Sequence, residues 1–220
     1  MTDLAATEKV LADLIAFPTV SSDPNRAMIG DMAQRLEDLG ARVEVFEDAS
    51  GGKANLFATL GPDAPDGVVL SGHSDVVPVT DQDWHTDPFE MTERGDLLYG
   101  RGTCDMKGFI AASIAMAPIF AEAKLHRPVH FCFTHDEEVG CLGAQALVPE
   151  LQKRGYRPAI AIVGEPTDMK VIEGHKGCCE YTARFTGLEG HGSNPDRGVN
   201  AAAYAVKYVS RLLELAEDLK

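Results

Sequence analysis

Cationic side chains are scarce in this sequence of 220 residues: 20 Lys and Arg stand against 34 Asp and Glu, a formal net charge of −14. Such a surface repels phosphate backbones, so nucleic acid is not an expected partner. Long apolar runs are missing too. No stretch approaches the roughly 20 apolar residues that span a bilayer. The opening MTDLAATEKVLADL carries early acids where a signal peptide has its apolar centre. Neither a membrane partner nor secretion is expected. Cysteine is thin: Cys104, Cys132, Cys141, Cys178 and Cys179 are odd in number, form no C-x-x-C pair and lack zinc-ribbon spacing. They read as reduced thiols of a cytoplasmic protein.

What is present is globular in kind. With 45% hydrophobic and 25% charged residues, wholesale disorder is excluded, and the length suits one large domain or one and a half ordinary ones. Residues 8–17 place Val10, Leu11, Leu14, Ile15 and Phe17 on one helical face. Asp23-Pro24 predicts the start of a second helix faced by Met28, Ile29, Met32, Leu36 and Leu39, with Gly40 as its stop. Strands are predicted at 43–46, 55–60, 67–70, 129–134 and 158–163, and helices at 109–123 and 143–154. This alternation predicts an α/β fold: a mixed, largely parallel sheet with helices on both faces. After Gly174 the pattern changes. A half-exposed strand is expected at 180–187, then a helix over 200–219 faced by Val206, Val209, Leu212 and Leu213. Residues 1–174 are therefore taken as the first part of one domain, and 175–220 as the start of a second, α+β one.

The chemistry lies at the strand ends. In open α/β sheets ligands bind beyond the carboxyl ends of the strands. Three runs expected to be buried strands lead there: VVL into Ser71-Gly72-His73-Ser74-Asp75, HFCFT into His135-Asp136-Glu137-Glu138, and AIAIV into Gly164-Glu165-Pro166. A further Gly-punctuated loop, GRGTCDMKG, carries Asp105 and opens the helix at 109. Parallel strands bring these loops to one sheet edge. So many carboxylates cannot share a site in ionised form without counter-charge. A pair of divalent metals supplies it, and His with carboxylate ligands suits zinc, cobalt or manganese.

The motifs GHSDVVPV, YGRGTCDMKG, THDEEVGCLGA and VGEPT, in that order, resemble those of the dinuclear-zinc deacylases and exopeptidases. The resemblance runs from about Leu11 to the end of the chain. It implies a zinc-exopeptidase-like sheet with a lid or dimerisation domain, two Zn2+ (Co2+ or Mn2+ in their place), and a homodimer for the full-length protein. His73 and Glu165 would bind one metal, Asp105 would bridge both, and Glu138 would bind the second. Asp75 would orient His73 through its far nitrogen. Glu137 would be the general base for attack of a metal-bound hydroxide on an amide. GHGSNPDRGVNAA resembles the lid motif, making His191 a donor to the oxyanion, with Gly198 and Asn200 shaping its loop. Gly192 departs from that pattern, which has Ser there.

Within that family the segments DEEVGCLGA and EGHKGCCEYTARFTG look most like the members that deacetylate N-acetylornithine in arginine biosynthesis. The expected substrate is thus a small N-acylated amino acid, with N-succinyl-diaminopimelate as the alternative. The resemblance further implies a His ligand to the second metal from a stretch beyond this length. The last His here is His191. The chain alone is accordingly expected to hold at most one complete metal site and to have little activity. The alternative from another class is a non-catalytic metal-binding or dimerisation remnant.

Plainer readings stand beside these. Asp105 could cap the helix that follows. Cys104 is expected to be a small buried residue and not a ligand. GRGTCDMKG lacks phosphate-loop spacing, so Lys107 is a structural or surface residue. His85, His126, His130, His135 and His175 are read as bystanders, and Trp84 and Phe89 as packing residues.

Overall fold

The computed structural model of the chain describes residues 4–174, 177 and 181–219. It falls into two compact units, Met1–Val171 and Ile172–Lys220. In the first unit the elements run α1 (Leu4–Ile15), α2 (Arg26–Glu37), β1 (Arg42–Glu47), β2 (Ala54–Leu60), β3 (Val68–His73), β4 (Thr92–Arg94), β5 (Leu97–Tyr99), α3 (Lys107–Glu122), β6 (Val129–Thr134), α4 (Leu142–Lys153) and β7 (Ile160–Val163).

Five strands form the main sheet in the order β1-β2-β6-β3-β7. β6 pairs in parallel with β3, and β3 with β7, while β2 is antiparallel to both β1 and β6. β2 alone therefore opposes the common direction. β2 is buried along its whole length, because helices cover both of its faces. Its Leu56, Ala58 and Leu60 join Phe131 and Phe133 of β6 under α1, α2 and α3. Its Phe57 turns the other way, to Cys132 of β6 and Leu147 of α4. This strict alternation is the period of two that a pleated strand imposes. Cutting the fully buried Phe131 to Ala would cost roughly 3–5 kcal/mol.

Several expectations need correction. The strand at 158–163 was expected to be buried; Ile160–Val163 lies at the sheet edge and all four residues are exposed. The second helix starts at Arg26 rather than behind an Asp23-Pro24 cap, because Asn25 spends its side chain on Ala54 and Ser74. Gly40 does end that region, in the left-handed conformation at φ 80°. The hairpin β4–β5 (92–99) is a pair of strands not predicted from the sequence.

The second unit holds a short 3-10 turn (Pro195–Arg197) and α5 (Ala201–Asp218). Asn200 caps α5 by accepting the Ala203 N–H at 3.2 Å. Among the described residues 181–187 form no strand; the single bridge nearby joins Leu188 to Val199. Tyr181 and Phe185 instead lean on Tyr208 of α5. A strand needs a ladder partner, and the described residues offer none beyond that bridge. Glu180, His175, Cys178 and Cys179 lie outside the described residues.

Candidate metal centre

The strand ends of β3, β6 and β7 and the loop before α3 deliver one histidine and four carboxylates to a common point. His73 is the last residue of β3 and only 1% exposed. Its Nδ1 donates to the main-chain carbonyl of Asp75 at 2.8 Å. With Nδ1 so engaged, Nε2 is the nitrogen that faces outward. It meets Asp105 Oδ1 at 2.9 Å, Glu165 Oε1 at 3.8 Å and Glu137 Oε2 at 3.9 Å. Two groups can hold a cation, His73–Asp105–Glu165 and His73–Glu137–Glu138, each with its ligand atoms within 4.8 Å of one another.

Local structure explains this delivery. Gly164 ends β7 against α3: a Cβ there would lie 1.9 Å from the Phe109 ring, so only glycine lets the chain pass and carry Glu165 inward. Asp105 stands before α3, whose N-cap position is Met106, and makes no capping bond; the plainer reading of Asp105 as a helix cap is thereby removed. It is left half-exposed and free to face His73. Glu137 and Glu138 follow the left-handed Asp136 (φ 55°), which turns the chain sharply out of β6.

The Asp75 carboxylate does something the sequence did not reveal. Its Oδ1 accepts the Glu137 N–H at 3.0 Å, and its Oδ2 accepts the Glu138 N–H at 3.3 Å and the Ser21 hydroxyl at 2.6 Å. Its distance to His73 Nδ1 is 3.6 Å, so the short bond to the imidazole comes from the Asp75 carbonyl. Behind this lies a polar frame the sequence reading missed. Asn25 joins Ala54 to Ser74, and Asn55 joins Gly143 to His135. These partners are 29 to 88 residues apart in sequence, and no local spacing signals them.

Electrostatics agree with a cation-shaped site. Burial raises the pKa of Glu165, and the charges of Asp105, Glu137 and Asp75 raise it further against the pull of His73. Glu138 is raised by burial and by Asp105, again against His73. Burial would lower His73, but the nearby Asp75 carboxylate, its carbonyl and Glu165 together lift it to about 9. Burial would raise Asp75, yet His73, Ser21 and the Glu137 N–H hold it at about 2. A buried imidazole nitrogen ringed by mutually repelling carboxylates is the donor set of a divalent transition metal, which takes the place of the imidazole proton. The residues present fit one.

The other residues singled out fall elsewhere. His191 belongs to the second unit, is exposed, and holds Ser193 Oγ at 2.8 Å through Nδ1. Cys104 is exposed, contrary to expectation, because its loop runs along the surface beside Asp105. Lys107 is wholly buried and donates to the Leu14 and Phe17 carbonyls at 3.0 and 2.7 Å. A cavity of about 610 Å3 opens at the opposite end of the sheet, lined by Arg42, His130, Arg154 and Tyr156 among others, and includes none of the candidate ligands.

A mixed α/β sheet whose strand-end loops gather these ligands is the architecture of a metal-dependent hydrolase. Residues 69–215 match the model of Peptidase family M20/M25/M40, and the chain belongs to that family. It is similar to the acetylornithine deacetylase of Pasteurella multocida (strain Pm70), 40% identical over 214 residues, which cover 94% of this chain and 55% of that protein. Among solved structures, a tripeptidase from Staphylococcus aureus shares the fold with TM-score 0.69 and 19% identity, covering 96% of this chain and 57% of the other. So does the M20 family metallo-carboxypeptidase Sso-CP2 from Sulfolobus solfataricus, with TM-score 0.63 and 20% identity over 72% of this chain and 37% of the other. The chain thus spans about half the length of the curated relative it matches. No helix among the described residues is long and apolar enough to cross a membrane.

Proposed function

We propose that this chain carries the metal-binding part of an amide hydrolase that removes the acetyl group of N-acetylornithine. The observation behind this reading is the convergence of His73, Asp105, Glu165, Glu137 and Glu138 on one point. Its substrate rests on the name of the Pasteurella multocida relative.

In this reading His73, Asp105 and Glu165 hold the first zinc, and Asp105 with Glu138 reach toward a second. A bound divalent ion supplies polarisation of the amide carbonyl and activation of water. Glu137 would take a proton from that water and return it to the leaving amine, a role that needs a carboxylate within reach of the ligands. Asp75 fixes the tautomer and tilt of His73 through its carbonyl and the direction of both glutamates through its carboxylate. His191, in the second unit, is the proposed donor to the oxyanion in this reading. The full-length protein is a homodimer in this reading.

Both candidate groups draw on the same histidine. The described residues therefore support one complete site, and we expect one tightly bound zinc per chain. Isothermal titration of the metal-free chain with zinc tests this: a stoichiometry near one, lost in His73→Ala, is expected, and no binding would overturn the reading. The substrate is tested by supplying the unmatched part of the Pasteurella multocida relative in trans. Release of acetate from N-acetylornithine should exceed release of succinate from N-succinyl-diaminopimelate. The reverse ranking would make the chain a desuccinylase.

A further inference from the structure

Lys53 has no part in the ligand set, yet it touches two of the loops that build it. It stands in the turn just before β2, where its backbone N–H bonds Asp48 Oδ1 at 3.1 Å. Its ammonium reaches away from that turn and donates to the Ser21 carbonyl and to Asp136 Oδ1. Both partners are near the site in different ways. Ser21 hydrogen-bonds the Asp75 carboxylate at 2.6 Å, and Asp136 is the left-handed residue directly before Glu137.

These contacts close a ring. From Lys53 it passes to Asp136, along the chain to Glu137, across the 3.0 Å bond to Asp75, on to Ser21, and back to Lys53. The ion pair within it is nearly out of solvent, with the Lys53 side chain 16% exposed and that of Asp136 10%. The second oxygen of Asp136 lies 3.1 Å from His135 Nδ1, a buried nitrogen with no hydrogen bond among the described residues. A non-glycine residue in the left-handed region persists only where its surroundings hold it. At Asp136 the holding charge is the Lys53 ammonium.

We propose that Lys53 is a positioning residue for Glu137 and Glu138: its pair with Asp136 locks the turn that aims both glutamates at His73. The inference rests on the reading of Glu137 as base and Glu138 as ligand. Removing one partner of a nearly buried pair leaves the other uncompensated, so the turn should loosen.

Residue-resolved amide exchange on the metal-free chain tests this without any turnover. In Lys53→Met, the Glu137 and Glu138 N–H groups should exchange about tenfold faster or more, as expected for local opening, while Phe131 and Phe133 of β6 keep their rates. Lys53→Arg, which keeps the charge, should restore protection. Unchanged exchange at Glu137 and Glu138 would overturn the proposal. So would equal acceleration of every amide, which marks Lys53 as a support of the fold in general. Should Lys53→Met fail to fold, Asp136→Asn reads the same contact from the other side, with the same two outcomes deciding. A separate titration of the unaltered chain with Co2+ reports on the metal reading. Failure to bind would remove the catalytic purpose of the ring whatever the exchange rates show.

Discussion

The Asp75 carboxylate accepts the Glu137 backbone N–H at 3.0 Å, and the Glu138 N–H at 3.3 Å joins it. Orientation of the glutamate pair is thereby tied to the same residue whose carbonyl holds His73. One side chain and its own main chain couple two strand ends, and this coupling has a pH signature.

Asp75 is held at about 2 although burial opposes ionisation, against an ordinary value of 3.8. Between those two values the unfolded chain binds the proton and the folded chain does not, so stability falls as the pH falls. The contribution is whole above about pH 4 and drains away toward pH 2. Urea denaturation of the metal-free chain from pH 6 to pH 2.5 should show this loss. Asp75→Asn should cost about 2–3 kcal/mol at pH 6, since its amide cannot accept from all three donors, and should flatten the acid limb.

If His73 is the proposed ligand, zinc would displace the proton that His73 carries in the metal-free chain, where its pKa stands at about 9. Binding near pH 7 should release close to one proton per metal, and apparent affinity should climb until the pH passes about 9. Calorimetry in two buffers of different ionisation enthalpy measures the release. No proton release would mean that His73 is not a ligand.

Glu137→Gln separates binding from chemistry. It would remove the proposed base but keep the shape, so zinc affinity should stay within about threefold while any hydrolysis falls by 10² or more. A surviving rate would assign the proton transfer to another group.

Lys107 gives a prediction that runs against intuition. Burial drives its pKa from 10.5 down to about 7, despite its bonds to the Leu14 and Phe17 carbonyls at the end of α1. Those carbonyls also accept the Phe17 and Thr19 N–H groups, so neither is orphaned without the lysine. Lys107→Met should therefore alter stability by less than about 1.5 kcal/mol, whereas Lys107→Ala should cost about 2–4 kcal/mol through the void it leaves. From pH 7 to 10.5 the unfolded chain holds a proton the folded one has lost, so this group makes stability rise with pH. That rise should vanish in Lys107→Met, as chemical denaturation at pH 7 and pH 9.5 would show.

The sequence by itself determined the α/β class, the faces of the first two helices, most of the strands and the residues that converge on the candidate centre; the face expected on α5 is largely exposed. It could do so because these signals are local: a period of two or 3.6, an apolar run, and a His or acid directly after a strand. What it misjudged was relational. Nothing in PAIAIV tells whether a neighbour covers the strand, and at the sheet edge none of the described residues does. Burial of Lys107 depends on α1 ending beside it, and the exposure of Cys104 on the path of its loop. Only the tertiary structure showed that Asp75 grips the backbone of Glu137 and Glu138, and that Lys53 reaches 83 residues along the chain to Asp136. Hydrogen bonds of that span are chosen by the packing of the sheet, because folding alone decides which distant polar groups lose water together and must satisfy one another.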